Sequence, residues 1–143
     1  MKTKIIAALA IALSMAAFTD CKKKKADETK SDPHNPPALS FKTGTVYTSA
    51  DATLTTNATV TVGITAAMTE DPLKTFNVSY AYDGSSTTAS FYNYALTATE
   101  QTSGYSKDIA ITTRSVTGTE KWTFTIIDKD GNIATKSLNF LVQ

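Results

Sequence analysis

The sequence predicts an all-β fold, a single antiparallel sandwich of two sheets with about seven strands. The first observation is that apolar and polar residues alternate with a period of two in several runs, as in half-buried strands. The second is that turn signals containing Gly, Asn or Asp separate these runs at spacings of roughly 8–12 residues. The third is that no long stretch after residue 38 has the periodicity of an amphipathic helix.

We predict a first strand near residues 41–47, continued by residues 53–55. The next strands cover residues 59–66, 75–80, 90–97, 108–112 and 121–126, and the last covers about 133–142. Residues 90–97 alternate less clearly than the others, because Phe91 is out of phase with Tyr92 and Tyr94. Each of the other runs presents one apolar face, so each is expected to be half-buried.

The core is predicted from the apolar face of these strands. Its members are Val60, Val62, Ile64, Phe76, Val78, Ile109, Ile111, Trp122, Phe124, Ile126, Leu138 and Phe140. A domain over residues 39–143 is large enough to be stable without a disulfide.

Residues 1–20 have the pattern of a secretory signal peptide. Lys2 and Lys4 precede an apolar run over residues 5–18. That run is too short for a transmembrane helix, which needs about 20 apolar residues, and it fits the apolar region of a signal peptide. We therefore exclude this segment from the predicted fold.

The segment Phe18-Thr19-Asp20-Cys21 resembles the bacterial lipoprotein signal, with an apolar residue three positions before the cysteine. The resemblance implies that the Cys21 thiol receives a diacylglyceryl group and anchors the protein in the membrane. The alternative is ordinary cleavage after Ala16, which would leave a secreted, soluble protein with a free thiol. An unpaired cysteine in an oxidising compartment needs a reason, and lipidation supplies one.

Residues 21–38 are predicted to be a lipidated, flexible tether. Four lysines follow the cysteine at residues 22–25, and three prolines lie between residues 33 and 37. Such a composition buries too little apolar surface to offset the entropy of ordering it. The lysines either lie against anionic headgroups or are simply solvated, and both alternatives stay open. By the sorting pattern of the lipoproteins, Lys22 directly after the cysteine implies the outer membrane.

Nucleic acid is excluded as a partner by the charge pattern. The lysine run has no aromatic residues interleaved with it, and the domain over residues 39–143 carries seven basic and nine acidic residues.

The closing hairpin carries a second resemblance. Residues 118–127 alternate aromatic and polar side chains and lead into Asp128-Lys129-Asp130-Gly131-Asn132. This arrangement is similar to the closing hairpin of bacterial Ig-like and cadherin-like domains. The domain as a whole resembles the small Ig-like surface lipoproteins of the Bacteroidetes type, which implies an Ig-like β-sandwich. No cysteine pair brackets a tryptophan, so the hallmark of antibody domains is absent.

Two features are candidates for metal binding and for sugar binding. Asp128 and Asp130 resemble the start of a calcium loop, but the glutamate of the EF-hand pattern is absent. A hairpin turn is the favoured interpretation, and a calcium site shared with Asp83 stays open. The other possible contributors to a shared site are Glu70 and Asp71.

Tyr92 and Tyr94 share one face of their predicted strand. They either stack on sugar rings, if that face is exposed, or pack into the interface between the sheets.

No catalytic residues and no cofactor are predicted. The single histidine, His34, lies in the tether, so no histidine of the domain is available to activate a hydroxyl in residues 85–88. Two functions stay open. One is an adhesion or ligand-binding module for a surface glycan or an envelope protein. The other is a structural spacer or accessory subunit of an outer-membrane complex. An unprotected edge strand favours a protein partner.

Overall fold

The computed structural model describes residues 35–143 as two β-sheets and one short helix. The strands are β1 (Ala38–Phe41), β2 (Ala52–Leu54), β3 (Thr59–Ala67), β4 (Leu73–Tyr82), β5 (Ala89–Ala95), β6 (Tyr105–Thr112), β7 (Gly118–Asp128) and β8 (Ile133–Val142). The helix α1 (Ala98–Ser103) lies between β5 and β6. The predicted signal peptide, Cys21, His34 and most of the predicted tether lie outside the described residues. Within residues 35–143, no helix is long and apolar enough to cross a membrane.

The strands form a three-stranded sheet and a five-stranded sheet that share one core. The smaller sheet has the order β1-β3-β6, and the larger has the order β2-β8-β7-β4-β5. Buried residues from both sheets belong to a single hydrophobic cluster. The partly buried ring of Phe41 from the smaller sheet packs against this cluster and meets Phe124 of the larger sheet edge to face, with centroids 5.3 Å apart. The predicted two-sheet, almost wholly β architecture is therefore confirmed.

The prediction of a purely antiparallel fold is wrong at β2. This strand pairs with β8 in parallel, whereas the other described strand pairs are antiparallel. The chain leaves the smaller sheet after β1 and reaches the larger one beside its last strand. Asp51 holds it there, because its carboxylate accepts hydrogen bonds from Asn139 N at 2.8 Å and from Asn139 Nδ2 at 3.0 Å.

The first predicted strand is displaced and divided. Strand β1 begins at Ala38 and ends at Phe41, and a turn follows in which Tyr47 N donates to Gly44 O. Gly44 has a φ of +131°, which ends the extended run. Residues 53–55 were expected to continue this strand, but Thr53 and Leu54 belong to β2 in the other sheet.

The folded part also begins earlier than residue 39. Asn35 donates to the Glu70 carboxylate from its backbone N at 3.1 Å and from Nδ2 at 2.6 Å. Pro37 is buried, and Ala38 pairs with Ala67. Residues 35–38, which the sequence assigns to the tether, therefore pack with the sheets.

The helix α1 was not expected, because six residues are too few to show a helical period. Its start follows from a local motif. The Thr97 side chain accepts from Glu100 N, and the Glu100 carboxylate accepts from Thr97 N at 2.8 Å. This reciprocal pair is a capping box, which satisfies backbone donors at the start of a helix.

The predicted core is largely confirmed. Eleven of its twelve members are buried, and Val60 is only partly buried because it lies near the start of β3. The prediction omits further buried apolar residues on the same strands and on the connections, namely Leu39, Ala66, Leu73, Ala81, Leu96, Tyr105 and Val142.

Candidate functional site

An ion pair joins the β4–β5 turn to the β6–β7 turn at one end of the larger sheet. The Arg114 guanidinium donates to both oxygens of the Asp83 carboxylate, at 2.7 and 2.6 Å. Thr119 N donates to the same carboxylate at 2.9 Å. Arg114, and then the Thr119 amide, lower the pKa of Asp83 to about 2. The two turns are thereby held together by a bidentate, charge-assisted pair.

Below this pair lies the buried carboxylate of Glu120, which is 0% exposed. One of its oxygens accepts from Arg114 N at 2.8 Å, and the other accepts from Trp122 Nε1 at 2.9 Å. Both oxygens are therefore hydrogen-bonded, as a buried carboxylate requires. This arrangement also sets the orientation of the Trp122 indole.

A continuous row of rings runs from Arg114 to the edge of the larger sheet. The guanidinium lies 4.8 Å from the centroid of Tyr82, and the Tyr82 and Tyr80 centroids are 5.0 Å apart. Tyr80 lies 5.1 Å from Trp122, and Phe91 meets Trp122 edge to face at 5.0 Å. The row ends on β5 with Phe91, which is 46% exposed.

A β-bulge brings Phe91 into this row. In the pairing of β4 with β5, Tyr92 is opposite Val78 and Ser90 is opposite Ser79, so Phe91 is the extra residue. The bulge explains why the alternation of this strand is irregular in the sequence, since Phe91 and Tyr92 are consecutive residues that both contact inward-facing rings.

Tyr92 and Tyr94, the candidates for sugar stacking, are brought together but are not free platforms. Their rings stack on each other with centroids 6.2 Å apart, and Tyr94 stacks on the buried Tyr105 at 5.5 Å. The Tyr94 hydroxyl donates to Glu100 at 3.1 Å, and Lys107 Nζ lies 5.7 Å from the Tyr92 centroid. Burial, together with a hydrogen bond to Tyr92, raises the pKa of Tyr105. These contacts match the second interpretation, in which the two tyrosines pack into the interface between the sheets.

The calcium candidates lie in the β7–β8 turn. Both oxygens of Asp128 accept from Asn132, from the backbone N at 2.8 Å and from Nδ2 at 3.0 Å. Asp130 is exposed, and Gly131 has a φ of +92°. Asp83 lies at the opposite end of β4, so it does not share a site with Asp128. Within residues 35–143, no three His, Cys, Asp or Glu side chains form a group able to hold a metal ion.

Strand β5 is the most exposed strand of the described domain, and β4 is its only partner strand among residues 35–143. Its exposed residues are Ala89, Ser90, Phe91, Asn93 and Ala95. It contains no charged residue and no proline. Proteins commonly protect long edge strands with such residues, because unpaired backbone groups invite another strand.

The other described edges are protected. Strands β1 and β2 have only four and three residues, and β8, which pairs with β2 only over residues 140–142, carries Lys136 on the rest of its edge. Strand β6 carries Lys107 and Asp108, and Asp108 forms a 2.6 Å ion pair with Lys42. The bulge is the only such device on β5, so we take the β5 edge as the candidate functional site. Sequence reasoning missed this site, because the alternation of a strand does not show which strands pair with it.

A shallow cavity of about 280 Å³ lies beside this edge, at the β4–β5 turn. It is lined by Tyr80 and Tyr82 and by the hydroxyl-bearing residues Ser85, Thr87 and Thr88. Aromatic rings with nearby hydroxyls are groups that contact small polar ligands in binding sites.

Comparison with known proteins assigns no family to this chain. No protein-family model matches it, and no curated protein matches it. A solved structure of murine CRIg is similar over 76% of this chain and 99% of that chain, with 13% sequence identity and a TM-score of 0.39.

The ion pair of Asp83 predicts a pH-dependent contribution to stability. Because the pKa of Asp83 is lower in the folded state than in the unfolded chain, where it is about 4, the contribution is complete above that pH. It is lost as the pH falls toward 2. The urea midpoint of Asp83→Asn should therefore lie below that of the wild type at pH 6, and the difference should shrink at pH 2. Asp130→Asn is the control, and an undiminished difference at pH 2 would contradict the prediction.

The buried carboxylate of Glu120 predicts a larger loss of stability on substitution than the exposed Asp83. In Glu120→Gln the amide keeps one acceptor oxygen for two donors, Arg114 N and Trp122 Nε1, so one donor loses its partner. We expect a loss of roughly 1–3 kcal/mol in the free energy of unfolding. Urea unfolding followed by the fluorescence of Trp122, the only tryptophan in the sequence, measures it. Lys121→Gln, an exposed neighbour, should stay near the wild-type value.

Proposed function

We propose that this chain is a non-catalytic, lipid-anchored protein of the bacterial outer membrane. Its Ig-like domain is an adhesion or ligand-binding module that binds another protein through the edge of β5. The observation that carries the binding role is that β5 is a long edge strand without charged residues. Strand addition at such an edge is a common way to bind an extended protein segment.

The strand order supports the Ig-like part of the proposal. In Ig-like domains one sheet contains strands C, F and G, of which F and G are the last two in the chain, and variable-type domains extend this sheet beyond C. Here β4, β7 and β8 are neighbours in the order expected of C, F and G, and β5 lies beyond β4. Strands β1, β3 and β6 take the places of three strands of the opposite sheet, and α1 lies in the connection before β6.

The anchoring part of the proposal rests on the sequence alone. A signal peptide over residues 1–20, Cys21 as the lipidated residue and the tether after it would hold the domain off the membrane. Two or more acyl chains at one residue give stable anchoring, whereas one chain holds only marginally. If Cys21 is not lipidated, the protein is secreted and soluble.

A protein partner is favoured over a glycan for a structural reason. The rings of Tyr92 and Tyr94 contact each other and Tyr105, so their faces are largely occupied. Glycan binding is the second candidate, and the three hydroxyl-bearing residues of the cavity beside Tyr80 and Tyr82 favour it.

The anchor is tested by labelling cells with a clickable palmitate analogue. We expect the wild-type protein to be labelled and to fractionate with the outer membrane, because the Cys21 thiol is the acceptor. Cys21→Ser should lose the label and appear in the soluble fraction. Equal membrane fractionation of both proteins, without label, would contradict lipid anchoring.

The binding role is tested by photo-crosslinking in intact cells. A benzophenone amino acid at Asn93, on the exposed side of β5, should give a covalent protein adduct. The same amino acid at Lys121, exposed on β7 and paired on both sides by β4 and β8, should give none. If Asn93 gives no adduct and a glycan array is bound by the wild type but not by Tyr80→Ala, the glycan candidate replaces the protein partner. If Asn93 gives no adduct and no glycan is bound, the binding module is contradicted and the structural spacer is the function that stays open.

A further inference from the structure

We infer that the protein bound at the β5 edge is a second copy of this chain, paired antiparallel through β5 about a two-fold axis at Asn93. This inference rests on the proposed function, in which the β5 edge is the binding surface. It names the partner of that surface.

The first argument is the alternation that the edge requires of an added strand. On β5, Tyr92 and Tyr94 pack inward against the core, and Asn93 between them is exposed on the outer face. A strand added beside it must continue this arrangement, with apolar groups inward and polar groups outward. Strand β5 itself meets this requirement.

The second argument is the register. A two-fold axis perpendicular to the sheet at Asn93 keeps the inward face of both copies on the same side. Asn93 is then opposite Asn93 of the second copy. Tyr92 is opposite Tyr94 of the second copy, and the same pair occurs twice by symmetry. Aromatic pairs directly opposite each other stabilise antiparallel strands.

The third argument is charge. Because β5 is uncharged, self-pairing places no like charges opposite each other along the strand. The charged groups that face Tyr92 and Tyr94 from the neighbouring elements are Lys107 on β6 and Glu100 on α1. In this register Tyr92 of one copy is opposite Tyr94 of the other. Lys107, which lies beside Tyr92, is then level along the strand with Glu100 of the second copy, which lies beside Tyr94. The two ends of the pairing are therefore complementary in charge.

The interface is small, because β5 has only seven residues and the bulge at Phe91 interrupts its regular pairing. Stable interfaces between soluble proteins are usually larger, so we expect reversible self-association that increases with concentration. Anchoring two copies in one membrane would raise their local concentration.

The decisive experiment uses a disulfide at the two-fold axis. In the full chain, Cys21→Ser removes the only native cysteine, and Asn93→Cys introduces one at the axis. Opposite residues of antiparallel strands have Cα atoms about 4.5 or 5.5 Å apart, which a disulfide can span. Under mild oxidation at high protein concentration, most of this variant should become a covalent dimer. Lys121→Cys in the same background, exposed on β7 between its two neighbouring strands, should stay monomeric.

A second variant tests the pairing without a new bond. Asn93→Asp places two carboxylates opposite each other, so sedimentation equilibrium should show at least a tenfold weaker dimer. Asn93→Ser should keep the wild-type constant, and circular dichroism of both variants checks that the fold is kept.

Disulfide formation by Asn93→Cys no faster than by Lys121→Cys would overturn the self-pairing. So would an Asn93→Asp variant that dimerises like the wild type. If the photo-crosslinker at Asn93 then captures a different protein, the proposed binding role stands and only the second copy is excluded. If it captures nothing, both the protein partner at β5 and the self-pairing are contradicted.

Discussion

The arrangement of one end of the domain depends on the buried carboxylate of Glu120. A carboxylate without water is stable only when its oxygens are hydrogen-bonded, and its two donors here are Arg114 N and Trp122 Nε1. The first donor places Arg114 where its guanidinium meets Asp83 and the Tyr82 ring. The second fixes the indole on which Tyr80 and Phe91 pack. A single buried acid thereby connects two turns to the exposed edge of the sheet.

The second constraint is the unequal width of the two sheets. Five strands face three, and the larger sheet ends in β5 with no strand beyond it among residues 35–143. Tyr105 and Lys107 of β6 cover the inward rings of this edge, while its backbone and outer face stay exposed. An edge of this kind avoids aggregation only if other strands are kept away from its unpaired backbone groups or if one specific strand occupies them.

The many threonines of the chain have a structural role on the outer faces. Hydroxyl pairs join neighbouring strands there, including Thr59 with Thr112 at 2.9 Å and Thr123 with Ser137 at 3.1 Å. Such pairs support the sheets without charges, and β-branched residues suit the pleated backbone. The abundance of threonine is therefore explained by strand pairing, with no need for a chemical role of the hydroxyls.

The sequence by itself determined the strands from β3 onward, most of the core and the hairpin at Asp128, because each of these follows from local alternation or turn chemistry. Only the tertiary structure decided that β2 pairs in parallel with β8, that the Phe91 bulge packs on Trp122, and that Glu120 is buried. It also decided that β5 is an edge. The reason is physical: alternation shows which face of a strand is buried, whereas the neighbours of that strand depend on contacts between residues far apart in the chain.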